Sequence, residues 1–198
     1  AKLRFDESNS PQNIFNSNGD GTYQFDNIAP PTGYGFAPNS PSTAIWNFEW
    51  SINSNFDGSG GVLNSLSYLL EIDFDPGAGT NFLAFDPINL PSADHALGDN
   101  STGNGAGISD EPNYVANIAS LNLAQNSWNM EFFDGGPYTF NALGEGIYDF
   151  KLTAFGSQDE VLASTSIQVI NAAVPEPQTW LIMLLSLAGL AWIRRRTR

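Results

Sequence analysis

Apolar and polar side chains alternate in short runs along the first 170 residues, and stretches rich in Gly, Asn, Pro and Ser separate them. A period of two is the spacing of a strand with one face buried. Thr22–Ile28 alternates in this way. So does Ala44–Ile52, which sets Trp46, Phe48 and Trp50 on one face and predicts a core strand. In Leu66–Phe74, Leu70, Ile72 and Phe74 share a face opposite Glu71 and Asp73. Phe82–Phe85, Tyr114–Ile118, Ser127–Phe133, Gly146–Phe155 and Val161–Ile170 complete the predicted strands. Asn117–Gln125 has room for a short turn of helix, and nothing before Trp180 carries a helical stripe over ten residues. About eight or nine strands joined by turn-rich connectors predict an all-β fold: two packed antiparallel sheets, a β-sandwich or jelly roll over residues 1–170. Phe-Asp pairs recur at Phe5, Phe25, Phe56, Phe74, Phe85 and Phe133, at spacings too irregular for a repeat architecture.

The pattern changes abruptly after residue 170. Asn171–Thr179 reads as a linker, held extended where Pro175 and Pro177 flank Glu176. Trp180–Ile193 is uncharged and almost wholly apolar, and residues 194–198 include Arg194, Arg195, Arg196 and Arg198. Fourteen helical residues reach about 21 Å, short of the ~30 Å hydrocarbon core, so a short transmembrane helix is expected with its arginines snorkelling. Trp180 and Trp192 fall at its two ends, where indoles prefer the membrane interface. Arginines favour the cytoplasmic side, which puts the body outside.

A Pro-Glu-Pro motif, a short apolar helix and a terminal arginine cluster, in this order, resemble the PEP-CTERM sorting signal of Gram-negative bacteria. The resemblance covers Val174 to Arg198. It implies that Pro175, Glu176 and Pro177 are read by exosortase, a membrane-embedded cysteine transpeptidase. It further implies a protein exported, held in the inner membrane, cleaved, and moved to the cell surface or beyond, in bacteria that build exopolysaccharide or biofilm. Ile72–Pro76, Asn81–Ile88 and Ala124–Asn129 are similar to ectodomains of such proteins. Ala1–Phe5 has no apolar run behind it, so a signal peptide removed from the precursor is expected.

Charge narrows the function classes. Residues 1–173 hold three basic side chains, Lys2, Arg4 and Lys151, against 20 acidic ones, a formal charge of −17. Such a body repels phosphate backbones, which excludes a nucleic-acid partner. The absence of cysteine excludes disulfides, thiol nucleophiles and thiolate metal sites. Calcium is the cofactor that an acidic, oxygen-rich surface suits best. Asn16, Asn18 and Asp20 alternate as in the first half of an EF-hand loop, although the twelfth position is Asn27 where a glutamate is needed. Glu71, Asp73 and Asp75 alternate along one strand face, and Asp94, Asp99 and Asp110 lie in a long connector. Against calcium stand a glycine-rich turn in the first case and a solvated strand face in the second.

A catalytic role is not expected. Any Ser/His/Asp relay has to use His95, the single histidine, which is expected in an exposed loop with no nucleophile elbow beside it. Twenty carboxylates make any glycosidase-like pair uninformative. Tyr34, Phe36, Trp128 and Tyr138 fall in or beside turns, where aromatic rings could face sugars. The sequence thus points first to a structural or adhesive protein of an extracellular matrix, acting by self-association or polysaccharide contact. A calcium-assisted carbohydrate-binding module is the alternative and a polysaccharide hydrolase the third reading.

Overall fold

The computed structural model describes residues 1–3, 15–30, 41–89 and 94–173. The sorting motif Pro175–Pro177, the apolar segment with Trp180 and Trp192, the arginines 194–196, and Tyr34 and Phe36 lie outside the described residues. Among the described residues no helix is long and apolar enough to cross a membrane.

Two sheets form the body. One has the strand order β1 (Lys2–Leu3), β3 (Trp46–Asn53), β7 (Leu123–Trp128), β6 (Ala96–Gly98), all antiparallel. The other runs β2 (Thr22–Asp26), β9 (Val161–Ala172), β8 (Gly146–Phe155), β4 (Ser67–Asp73), β5 (Phe82–Phe85). This second sheet is mixed, which corrects the purely antiparallel expectation: β2 lies parallel to β9, with Thr22 opposite Gln168 and Asp26 opposite Ala172. A short helix, α1 (Tyr114–Ile118), precedes β7.

The alternation read from the sequence decides which side chains fill the core. Trp46, Phe48, Trp50 and Ile52 of β3 are buried, as are Tyr68, Leu70 and Ile72 of β4 and Tyr148 and Phe150 of β8. Trp46 stacks on Phe25 at 5.9 Å and meets Phe140 and Phe150 edge-on, while Phe48 lies 4.6 Å from Phe150. Rings of this size supply much of the apolar area a sandwich must bury. The indole N–H of Trp46 donates to Asn171 Oδ1, and the Asn171 amide donates to the carbonyls of Ala142 and Gly144. The end of β9 is thereby tied to the core, past the boundary where the linker was expected to begin.

Three local expectations are corrected. Tyr114–Ile118 is helical rather than extended: Pro112 lies in the first turn of the 3-10 segment Glu111–Asn113, which leads straight into α1. The short turn of helix expected within Asn117–Gln125 falls earlier in the chain, because α1 ends at Ile118 and β7 begins at Leu123. The strand predicted through Phe133 stops at Trp128, where Asn129 accepts a hydrogen bond from the Glu131 amide and opens the 3-10 segment Met130–Phe133. Asn129 is buried, and its amide also donates to the carbonyls of Ala44 and Trp46 and to Asn47 Oδ1.

Candidate functional site

A cleft with a coherent chemistry lies at the end of β7. It has a volume of about 560 Å³ and is lined by Phe85, Asp94, Ser109, Glu111, Trp128, Phe132 and Phe133. Phe85, Trp128 and Phe133 form a tight aromatic group, with ring centres 5.3 to 6.1 Å apart. Phe132 lines the same cleft and is 44% exposed. Asp94 and Glu111 add two exposed carboxylates. An aromatic wall beside carboxylates suits a sugar: the ring takes an apolar sugar face, and the carboxylates accept from hydroxyls.

His95 lies behind this wall. Its side chain is fully buried, which corrects the exposed loop position expected from sequence. The ring packs against Trp50, Trp128 and Tyr114 at 4.9, 5.5 and 5.8 Å. His95 Nε2 lies 2.5 Å from the Pro87 carbonyl, which can only accept, so Nε2 carries the proton. Nδ1 then accepts from the Asn126 amide at 2.9 Å, and the same amide nitrogen donates to Asp94 Oδ1 at 3.1 Å. Burial holds the His95 pKa below its ordinary value, against the Pro87 hydrogen bond and the Asp94 charge, which pull it up. With both ring nitrogens engaged, His95 offers no free base to a serine. Its role here is to brace the cleft wall. The sequence did carry a signal: His95 and Leu97 alternate inward at the start of β6, but three residues of strand are too short for a period to register.

The residues considered for calcium are used locally. In the hairpin before β2, Asp20 Oδ1 accepts from the amide and hydroxyl of Thr22, and the Asn18 amide donates to Thr22 Oγ1. The Asn16 amide donates to the Gln24 carbonyl. Gly19 and Gly21 have φ of +83° and +88°, the left-handed region where glycine is favoured. Glu71 pairs with Lys151 at 3.3 Å. Asp73 Oδ1 accepts from the amides of Asp75 and Asn81, and Asp75 accepts from the Gly77 amide. The strand ends at Asp73, so Asp75 lies in the following turn and the shared face expected of the three is lost. Among the described residues no group of three or more His, Asp or Glu side chains is placed to hold a metal ion.

Other aromatic candidates divide between core and surface. Trp46 and Trp50 are core, as the strand pattern predicts, and Trp128 is also buried, with one edge on the cleft. Tyr138 is half-buried against Phe74 at 5.5 Å.

The model of the PEP-CTERM protein-sorting motif matches residues 173–196. No curated protein matches the chain. The chain accordingly carries a PEP-CTERM protein-sorting motif at its C-terminal end, which implies an exported protein sorted by exosortase.

Proposed function

From a chain that carries the PEP-CTERM sorting signal, we propose a non-catalytic role for the body, as a structural or adhesive component of the extracellular matrix. The observation that carries this reading is the sorting motif at residues 173–196, which directs the polyanionic two-sheet body out of the cell. A compact anionic particle repels its neighbours at low salt and is drawn together by counter-ions, a behaviour suited to a hydrated matrix. Fractionation of the native host tests it. The body, shortened by the mass of its tail, is expected in the washed polysaccharide matrix. Recovery entirely in the inner membrane or the cell-free medium would overturn the matrix role.

The cleft beside Trp128 supports a second reading, carbohydrate binding, in which calcium assists through the Asp94 and Glu111 carboxylates. Its probe is the host's own exopolysaccharide, with and without calcium. Phe132→Ala leaves the core intact because Phe132 is exposed, and it is expected to weaken retention about tenfold if the ring faces a sugar, the loss of roughly 1.4 kcal/mol. Unchanged retention would remove this cleft from consideration.

A further inference from the structure

We infer that the first half of β9 is an assembly edge, which pairs antiparallel with the same edge of a second copy of this chain. β8 covers one side of β9 from Val161 to Asn171, whereas β2 reaches only Gln168–Ala172 on the other. No described strand pairs with Val161–Ile167 on that open side. The Gln168 amide donates to Gly21 on the β2 side, and the Asn27 amide donates to Ala172. Backbone groups alternate along a strand, so those of Ser164 and Ser166 point to the same side, beyond the end of β2. Residues 161–166 are also exposed on both faces, with Val161 62% and Leu162 52% exposed.

An open, apolar-tipped edge is an invitation to pairing unless a charge or a proline guards it. Here neither occurs from Val161 to Ala173, in a body with 20 acidic side chains. A charge-free edge argues for a second copy as the occupant, since two bodies of this charge repel wherever their acidic surfaces meet. Electrostatics also sets the direction. A two-fold axis at Ser164 puts Ser164 opposite Ser164 and Ser166 opposite Leu162 of the second copy. The two Glu160 residues then stand about 27 Å apart at ~3.4 Å per residue, well beyond the ~8 Å screening length. Parallel pairing would stack them about 4.8 Å apart. The antiparallel arrangement is therefore the one that the charges permit.

The absence of cysteine makes the test direct, because any disulfide must involve an introduced thiol. Opposed residues in an antiparallel pair have Cα atoms about 4.5–5.5 Å apart, within disulfide range. The full chain, at less than one copy per detergent micelle, is oxidised as Ser164→Cys and as Ser59→Cys, the latter in an exposed turn remote in sequence from β9. Ser164→Cys is expected to form dimers at least about tenfold faster, since pairing raises the local thiol concentration. Ser166→Pro in the Ser164→Cys background should abolish this advantage, because it removes an outward N–H and leaves the bonds to β8 in place. Should that variant misfold by circular dichroism, Ser164→Lys read by sedimentation serves instead. It lowers the net negative charge and yet should leave monomers, since two lysines meet at the axis. Equal rates for the two thiols, or dimers that survive Ser164→Lys, would overturn the pairing. The pairing goes beyond the matrix role and rests on β9 alone, so recovery of the protein in the matrix with no cross-linking would sink only the pairing.

Discussion

The His95 imidazole is buried among Trp50, Tyr114 and Trp128 with its proton on Nε2, and burial lowers its pKa below the ordinary 6.5. In the unfolded chain the ring takes up a proton near pH 6.5, while the folded protein resists doing so. The unfolded state therefore binds more protons in this window, and stability falls as pH drops below about 6.5 toward the lower folded value. Thermal unfolding from pH 7.5 to 5 is expected to show this loss, and His95→Gln should flatten it; an unchanged slope would place the titration elsewhere. Asp20, Asp57 and Asp99 act in a separate window. Hydrogen bonds from Thr22, Ser59 and Ser101 lower their pKa values, so what they contribute is present above about pH 4 and lost below it. At the alkaline end, burial raises the Tyr114 phenol to about 12, and its contribution is lost as pH rises above 10. Asn129 gives a pH-independent counterpart. Its side chain serves the backbone of Ala44, Trp46 and Glu131. Asn129→Ala strands buried donors and acceptors and should cost about 3 kcal/mol in denaturant unfolding.

At the scale of the element, the parallel docking of β2 on β9 depends on the turn that delivers it. Gly21 has φ of +88°, and its carbonyl accepts from the Gln168 amide at the first register position. Gly21→Ala should cost about 1–2 kcal/mol for the left-handed backbone. Amide exchange is expected to quicken over residues 22–26 and 168–172 while β4 and β8 stay protected; uniform quickening would mean that the sandwich melts as one unit. The strands that sequence made legible are those with a long alternation, such as β3, β4 and β8, because one buried face imposes a period of two. What escaped were places where side chains override that period. Asn129 ends β7 by capping the next turn, and Pro112 leads Tyr114 into a helix. The pairing of β2 with β9 joins residues far apart in sequence, and no local pattern encodes it. The recurring Phe-Asp pairs have a local meaning that spacing alone hid. Phe25, Phe74 and Phe85 close or follow strands and pack inward, while Asp75 and Asp86 accept from the amides of the next turn. Among the described pairs Phe56 departs from this, exposed beside the Asp57 turn. The cleft escaped for the same reason as β2: Phe85, Asp94 and Trp128 meet only through tertiary packing.

For the molecule as a whole, the −17 body has to fold and gather against its own repulsion. Only three basic side chains are available, and two of them are committed: Lys2 pairs with Glu49, and Lys151 with Glu71. Screening by salt therefore stabilises the compact state, since the screening length falls from about 30 Å at 0.01 M to about 8 Å at 0.15 M. The melting temperature is expected to rise over that range, by several degrees for each kcal/mol of repulsion removed. Calcium and magnesium separate charge screening from coordination, because both carry two charges but differ in ligand number and geometry. At matched ionic strength, equal shifts with the two ions would make the carboxylates a diffuse charged surface. A larger shift with calcium would mean that acidic turns such as Asp73–Asp75 rearrange around the ion. The turns already use these oxygens to hold backbone amides. Coordination would have to displace those bonds, so equal shifts are the expected result, and cohesion between copies then falls to the uncharged edge of β9.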